Sequence, residues 1–171
     1  MTVIPLSTLE TRLILPGPIA RVFEFFAEAS NLEAITPPWL HFHILTPRPI
    51  RMGKGTRIDY RLRLRGLPLR WCSEITTWDP PRRFVDEQIR GPYRVWIHEH
   101  EFAERDGGTE VRDRVRYAVL GGALVDRLLV RRDVRRIFEH RARRLGELFP
   151  GRPGLPSQAS GGAQAAARAE R

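Results

Sequence analysis

From Gly55 to Leu120 the chain is written almost wholly in period-two alternation, and it then changes once to a long helical period. Alternate residues of a strand face the same side of a sheet. In GTRIDYRLRLRG this sets Ile58, Tyr60, Leu62 and Leu64 against Arg57, Arg61, Arg63 and Arg65, one dry face and one wet. LRWCSEITTW, RFVDEQIRG, YRVWIHEHEFAER and TEVRDRVRYAVL follow, punctuated by Gly66 to Pro68, DPPRR, GP and DGG. Consecutive hairpins of this kind build an antiparallel sheet.

Upstream, STLETRLIL reads as a first strand. PGPIARVFEFFAEA reads as a helix, with Pro18 in its first turn and Ile19, Val22, Phe23 and Phe26 at helical spacing. NLEAITPPW allows one more helical turn before Pro37 and Pro38 stop it, and LHFHIL alternates again as a strand. Beyond Gly121 and Gly122 a helix runs from Ala123 to Phe149, with an apolar stripe of Val130, Val134, Ile137, Phe138, Leu145 and Leu148. That stripe needs an apolar surface, and the sheet supplies one. The expected fold is α+β: a curved antiparallel seven-stranded sheet wrapped around a long C-terminal helix, with two short helices after strand 1. Such a sheet leaves a cavity beneath the helix, a favoured place for small ligands. Residues 1–149 are expected to form one domain, and 150–171, without apolar period, a disordered tail.

Charge and cysteine narrow the function. A formal charge of +9 invites nucleic acid or an anionic membrane as partner. The arginines alternate along strands, however, as on the wet face of a half-buried sheet, so nucleic acid is disfavoured. A peripheral contact with anionic membrane stays open because the last helix is also very basic. Cys72 is the only cysteine, so an intramolecular disulfide is impossible and a cysteine-built zinc site is disfavoured. The first residues lack the pattern of a signal peptide, and no apolar run is long enough to span a bilayer, so a cytoplasmic location is expected.

The order of elements resembles the START-like, or helix-grip, superfamily, and more closely its bacterial SRPBCC branch of polyketide cyclase/dehydrase-like proteins. NLEAITPPWLHFHIL, the run from MGKGT to HEHEF, GTEVRDRVRYAVL and the helix containing IFEHRARRL carry the resemblance. It implies the helix-grip fold and binding of lipids, polyketides, hormones or quinones, with cyclisation in some members and no metal. The label "CDP-paratose epimerase-like", used for some of this branch, finds no support, because no GxGxxG follows a strand here.

The candidate site is read from strand faces. Arg94, Trp96, His98, His100 and Phe102 share one side of PYRVWIHEHEF, opposite Tyr93, Val95, Ile97, Glu99 and Glu101. Phe84, Asp86 and Gln88 share a face, as do Asp113, Val115 and Tyr117. The concave side is therefore expected to gather Phe84, Trp96, Phe102, Val115 and Tyr117 with Asp86, Gln88, His98, His100 and Asp113. Arg141 falls within the apolar stripe of the last helix, where it needs a partner such as Asp86, Asp113 or an anionic ligand head; otherwise it snorkels to an edge. The leading function is binding or transport of a hydrophobic small molecule.

For His98 and His100 four roles remain open: polar lining, acid/base catalysis with Asp86, Asp113 and Tyr117, metal ligation with Asp86 or Glu74, and plain solvation. A cyclase/dehydratase enzyme is the alternative function, with His98, His100 and Asp113 as its candidates, and a basic surface module comes third. No metal or cofactor is expected, since no second histidine pair with recognisable spacing flanks the first. His41 and His43 are expected at the surface, with Phe42 and Ile44 inward. Cys72 is expected to be a buried apolar residue, and ITPPWL either a rim to the pocket or a rigid turn. Whether the protein catalyses a reaction, and its oligomeric state, are not decided by the residues.

Overall fold

The computed structural model describes residues 6–151. The tail expected from residue 150 therefore lies, beyond Gly151, outside the described residues. Seven strands form one antiparallel sheet: β1 (Ser7–Pro16), β2 (His43–Ile44), β3 (Arg57–Leu64), β4 (Leu67–Asp79), β5 (Arg83–Arg90), β6 (Tyr93–Arg105) and β7 (Gly108–Val119). Their spatial order is β1-β7-β6-β5-β4-β3-β2, so β3 to β7 form a plain meander and β1 closes onto its far end.

Two short helices, α1 (Ile19–Ala27) and α2 (Asn31–Ile35), lead from β1 to a single 3₁₀ turn at Pro38–Leu40. The strand expected across LHFHIL shrinks to His43–Ile44, because Leu40 ends the 3₁₀ turn and His41 adopts a left-handed conformation. The C-terminal rod is helical as expected but not uniform. It consists of α3 (Gly122–Val125), a π-helical turn over Asp126–Val130, and α4 (Arg131–Leu148).

The wet and dry faces of β3 separate as its alternation requires. Ile58, Tyr60 and Leu62 are buried and Arg57, Arg61 and Arg63 are exposed. The β3–β4 turn falls one step earlier than the sequence suggests, on Arg65 and Gly66, both with positive φ. This two-residue geometry matches the twist of the flanking strands. Asp106 and Gly107 close β6 onto β7 in the same way.

α1 buries Val22, Phe23 and Phe26. Phe23 meets Phe84 and Phe102 edge-on, with ring centroids 6.0 and 5.2 Å apart. Each such fully buried aromatic stabilises the fold by about 1.5–3 kcal/mol through area alone. The turn into α1 is fastened by Thr109, fully buried, whose hydroxyl donates to the Gly17 carbonyl at 2.9 Å. Gly17 itself sits at φ 118°, a conformation closed to a side chain. On α4, Val134, Phe138 and Leu145 are buried as the stripe requires. Leu148, assigned to that stripe, is exposed instead, because the helix ends there and Phe149 turns in to fill its place.

Candidate functional site

Sheet and α4 enclose an apolar cavity of about 180 Å³. A water needs about 10–15 Å³ of such space, so the cavity has room for roughly a dozen waters or a mid-sized organic molecule. Its walls come from every layer: Phe26 and Leu32 from α1 and α2, Ile58, Tyr60 and Leu62 from β3, Trp71 and Ile75 from β4, and Ile137 and Phe138 from α4.

Glu28, Asn31 and Thr36 border the cavity at its α1–α2 end, and on the sheet side polar groups enter the wall in two places. On β4, Ser73 accepts from Trp71 Nε1 at 3.0 Å and pairs with the Tyr60 hydroxyl at 2.6 Å. These three side chains satisfy one another in an otherwise dry region.

The second place is built by register. Asp86 on β5 stands directly opposite His98 on β6, and His100 stands opposite Asp113 on β7. All four side chains turn to the concave face, which closes a ring. His98 Nε2 lies 3.2 Å from Asp113 Oδ1, and His100 Nε2 lies 3.2 Å from Asp86 Oδ2. Those two are the diagonals; the directly opposed pairs are close too, with His98 Nδ1 3.4 Å from Asp86 Oδ2 and His100 Nδ1 2.7 Å from Asp113 Oδ1. The last approach is short but off the N–H axis. It is an ionic contact, and the nitrogen has no in-line partner. Both rings are buried, His98 at 5% and His100 at 3% exposure.

Arg141 closes the ring from above. Its Nε is 4.0 Å from Asp113 Oδ2, and its guanidinium lies over Phe26 and Phe138 at 5.5 and 5.8 Å from the ring centroids. The nitrogen makes no hydrogen bond, so the attraction is Coulombic. The arginine therefore points inward rather than snorkelling.

These neighbours divide the charge. Burial and the adjacent His100 push the His98 pKa down, against the pull of both carboxylates, which favours the neutral ring. Burial also opposes charge on His100, but Asp113 and the Asp86 hydrogen bond outweigh it and raise that pKa. Both carboxyls are held ionised against burial. Asp86 is lowered by the His100 hydrogen bond and the two imidazoles, and Asp113 goes well below the usual range under Arg141 and His100. Two carboxylates thus face Arg141 and a His100 drawn toward its charged form, so opposite charges offset one another within the ensemble.

Of the residues expected at the site, Phe84, Asp86, Trp96, His98, His100 and Arg141 line the cavity. Asp113 stands behind the histidines. Phe102 packs under α1 beside Phe23, and Val115 packs under α4 beside Val134 and Phe138. Gln88 spends its amide on the β5–β6 turn, donating to the Tyr93 carbonyl at 2.7 Å. Tyr117 is remote from the histidines, beside Asp126, and burial with that carboxylate lifts its pKa to about 12.

Tyr93 corrects the parity drawn for its strand. A bulge between Tyr93 and Val95 shifts the phase, so Tyr93 joins Trp96 on the cavity wall. Tyr60, Trp71, Ser73 and Phe138 are wall residues that the sequence reading left outside its site. The dry faces of β3 and β4 were the available signal for the first three. His41 and His43 are exposed, Cys72 is buried, and ITPPWL puts Ile35 and Leu40 on the wall while Trp39 rests 5.2 Å from His140.

Among solved structures, protein Ms6760 from Mycobacterium smegmatis matches with a TM-score of 0.62 and 21% identity, over 82% of this chain and 89% of its own. CV1439 from Chromobacterium violaceum gives 0.66 at 14% identity, over 84% and 97%. Ginseng major latex-like protein 151 from Panax ginseng gives 0.64 at 12%, over 85% and 99%. These likenesses establish the helix-grip fold. No curated protein matches the chain in sequence. The family model described as polyketide cyclase/dehydrase and lipid transport covers residues 15–145, from the end of β1 through the other six strands and the cavity into the last turn of α4. The chain belongs to that family, within the SRPBCC or START-like superfamily.

Proposed function

We propose that the protein binds and carries an apolar small molecule, lipid-, quinone- or polyketide-like, that bears a neutral polar group. The carrying observation is the cavity itself, a largely apolar chamber beneath α4 whose sheet wall gathers its polar groups in two patches. The near balance of charge in the His–Asp ring disfavours an anionic head and suits a carbonyl or hydroxyl that can accept from or donate to it. Native mass spectrometry of protein from cells, with uptake of the neutral dye N-phenyl-1-naphthylamine, tests this. A co-purifying apolar mass and one dye per chain are expected, with dye uptake abolished by the filling variants Leu62→Trp and Ile137→Trp. Empty spectra together with no dye uptake would refute it.

One feature of the surface supports loading at a membrane. Leu120, Leu124 and Leu128, each more than 60% exposed, stand beside Arg127, Arg131 and Arg132 at the start of the helical rod. Apolar tips with cations behind them fit an anionic bilayer surface.

A second reading is acid/base catalysis of the cyclase/dehydratase type, favoured by the His–Asp ring on the cavity wall. In that reading His98, neutral, accepts a proton, and His100, with its raised pKa, donates one. Loss of turnover on a polyketide-type substrate in both His98→Ala and His100→Ala, with fold retained, is the expected result. Unchanged turnover in both would remove it.

A further inference from the structure

We propose that Asp86, His98 and His100 form a binding site for one first-row divalent transition-metal ion such as Zn²⁺, open to the cavity. One ligand atom from each residue lies within 4.8 Å of the other two. The two spacings from the carboxylate oxygen to the ring nitrogens are those of a coordination shell. Ligands about 2.1 Å from an ion are about 3.0 Å apart at a right angle and about 3.4 Å apart at the tetrahedral angle. Asp86 Oδ2 stands 3.4 Å from His98 Nδ1 and 3.2 Å from His100 Nε2. The first of these approaches is not aligned as a hydrogen bond, so hydrogen bonding alone does not account for it.

Asp113 supplies the second observation. It addresses the opposite nitrogen of each ring, His98 Nε2 at 3.2 Å and His100 Nδ1 at 2.7 Å. A carboxylate behind a metal-bound histidine fixes its tautomer and orientation. One carboxylate here serves two rings and leaves both remaining nitrogens turned toward Asp86. Arg141, 4.0 Å from Asp113, occupies that carboxylate with a cation of its own and so keeps it from joining the shell.

Two imidazoles and one carboxylate suit a borderline ion rather than calcium or magnesium, which prefer oxygen ligands throughout. All three residues line the cavity, so the fourth position faces whatever the cavity holds. With both carboxylates ionised and Arg141 present, a divalent ion leaves one net positive charge. A hydroxide from an ionised water supplies the single negative charge that completes the set. The rival occupant is a proton on His100, which neutralises the ring without any ion.

The site is independent of the molecule carried, and its test is separate from dye uptake. Full-length protein without a histidine tag is stripped with chelator and titrated with Zn²⁺ by calorimetry and with Co²⁺ by visible absorption. One equivalent should bind, with the intense d–d bands of a four- or five-coordinate site. Asp86→Asn, nearly isosteric, and His98→Ala, each checked for fold by circular dichroism, should abolish the bands. Asp113→Asn should weaken binding roughly tenfold to a hundredfold at unchanged stoichiometry. The surface variant His41→Ala/His43→Ala should bind as the wild type does. Absence of uptake, or uptake that survives Asp86→Asn, would overturn the proposal and leave the proton as the occupant.

Discussion

Replacing Arg141 by methionine tests whether the polar ring depends on its arginine. The substitution keeps an unbranched chain in the apolar stripe of α4 and removes only the guanidinium. Arg141 Nε and Asp113 Oδ2 are 4.0 Å apart, and both side chains are nearly inaccessible, at 11% and 7%. At that separation and an effective dielectric of about 20 the attraction is about 4 kcal/mol. Removing one member of a buried pair typically costs about 3–5 kcal/mol, because the remaining charge stays buried. Two features reduce the loss: the contact carries no hydrogen bond, and Asp113 keeps both imidazoles. The expected destabilisation is therefore about 3 kcal/mol, at the low end of that range. For a urea slope of about 2 kcal/mol per molar, the unfolding midpoint drops by about 1.5 M. Arg141→Met/Asp113→Asn removes both charges and should recover more than half of the loss. A single variant within about 0.5 kcal/mol of wild type, the range of an ordinary surface change, would show that the ring is balanced without its arginine.

Three further outcomes follow from other parts of the molecule. Ser73→Ala leaves the buried Tyr60 hydroxyl and Trp71 indole without their shared partner, and urea unfolding should register a loss of about 1–3 kcal/mol. Burial, with Asp59 nearby, raises the Cys72 pKa, so less thiolate is present at pH 8 than for a free cysteine. Its reaction with a thiol reagent should be slow in the native protein and fast in urea, and rapid native labelling would contradict that burial. Leu124→Glu/Leu128→Glu places charge on exposed positions, so stability should stay within about 0.5 kcal/mol while sedimentation with phosphatidylserine vesicles is lost. Retained sedimentation would refute the membrane contact.

The strands were legible because each has one dry face. Ile58, Tyr60 and Leu62 against a row of arginines leaves little choice of period, and the same parity turns His98 and His100 inward together. What alternation cannot show is a break in its own phase. The bulge at Tyr93–Val95 reverses one aromatic side chain, and nothing in PYRVW marks it. Pairing is equally silent. That Asp86 meets His98 while Asp113 meets His100 depends on the stagger of three strands, which turn lengths set only in part. Gln88 and Tyr117 lie on the concave parity yet miss the cavity, because the inner face is longer than the chamber and its ends are covered by a turn and by the start of the helical rod. The π-turn at Asp126–Val130 left no trace in the helical period.

The strand order has a consequence for biosynthesis. β1 has one neighbour, β7, and Ser7 pairs with Tyr117. At roughly 5–20 residues per second, a ribosome releases that partner about 5–20 s after β1 has emerged. In the interval the meander from β3 onward can assemble pairwise as it appears, while β1 and the phenylalanines of α1 wait without their docking surface. This opening segment is the stretch on which a chaperone would act, and the seam between β1 and β7 is the last to be sewn.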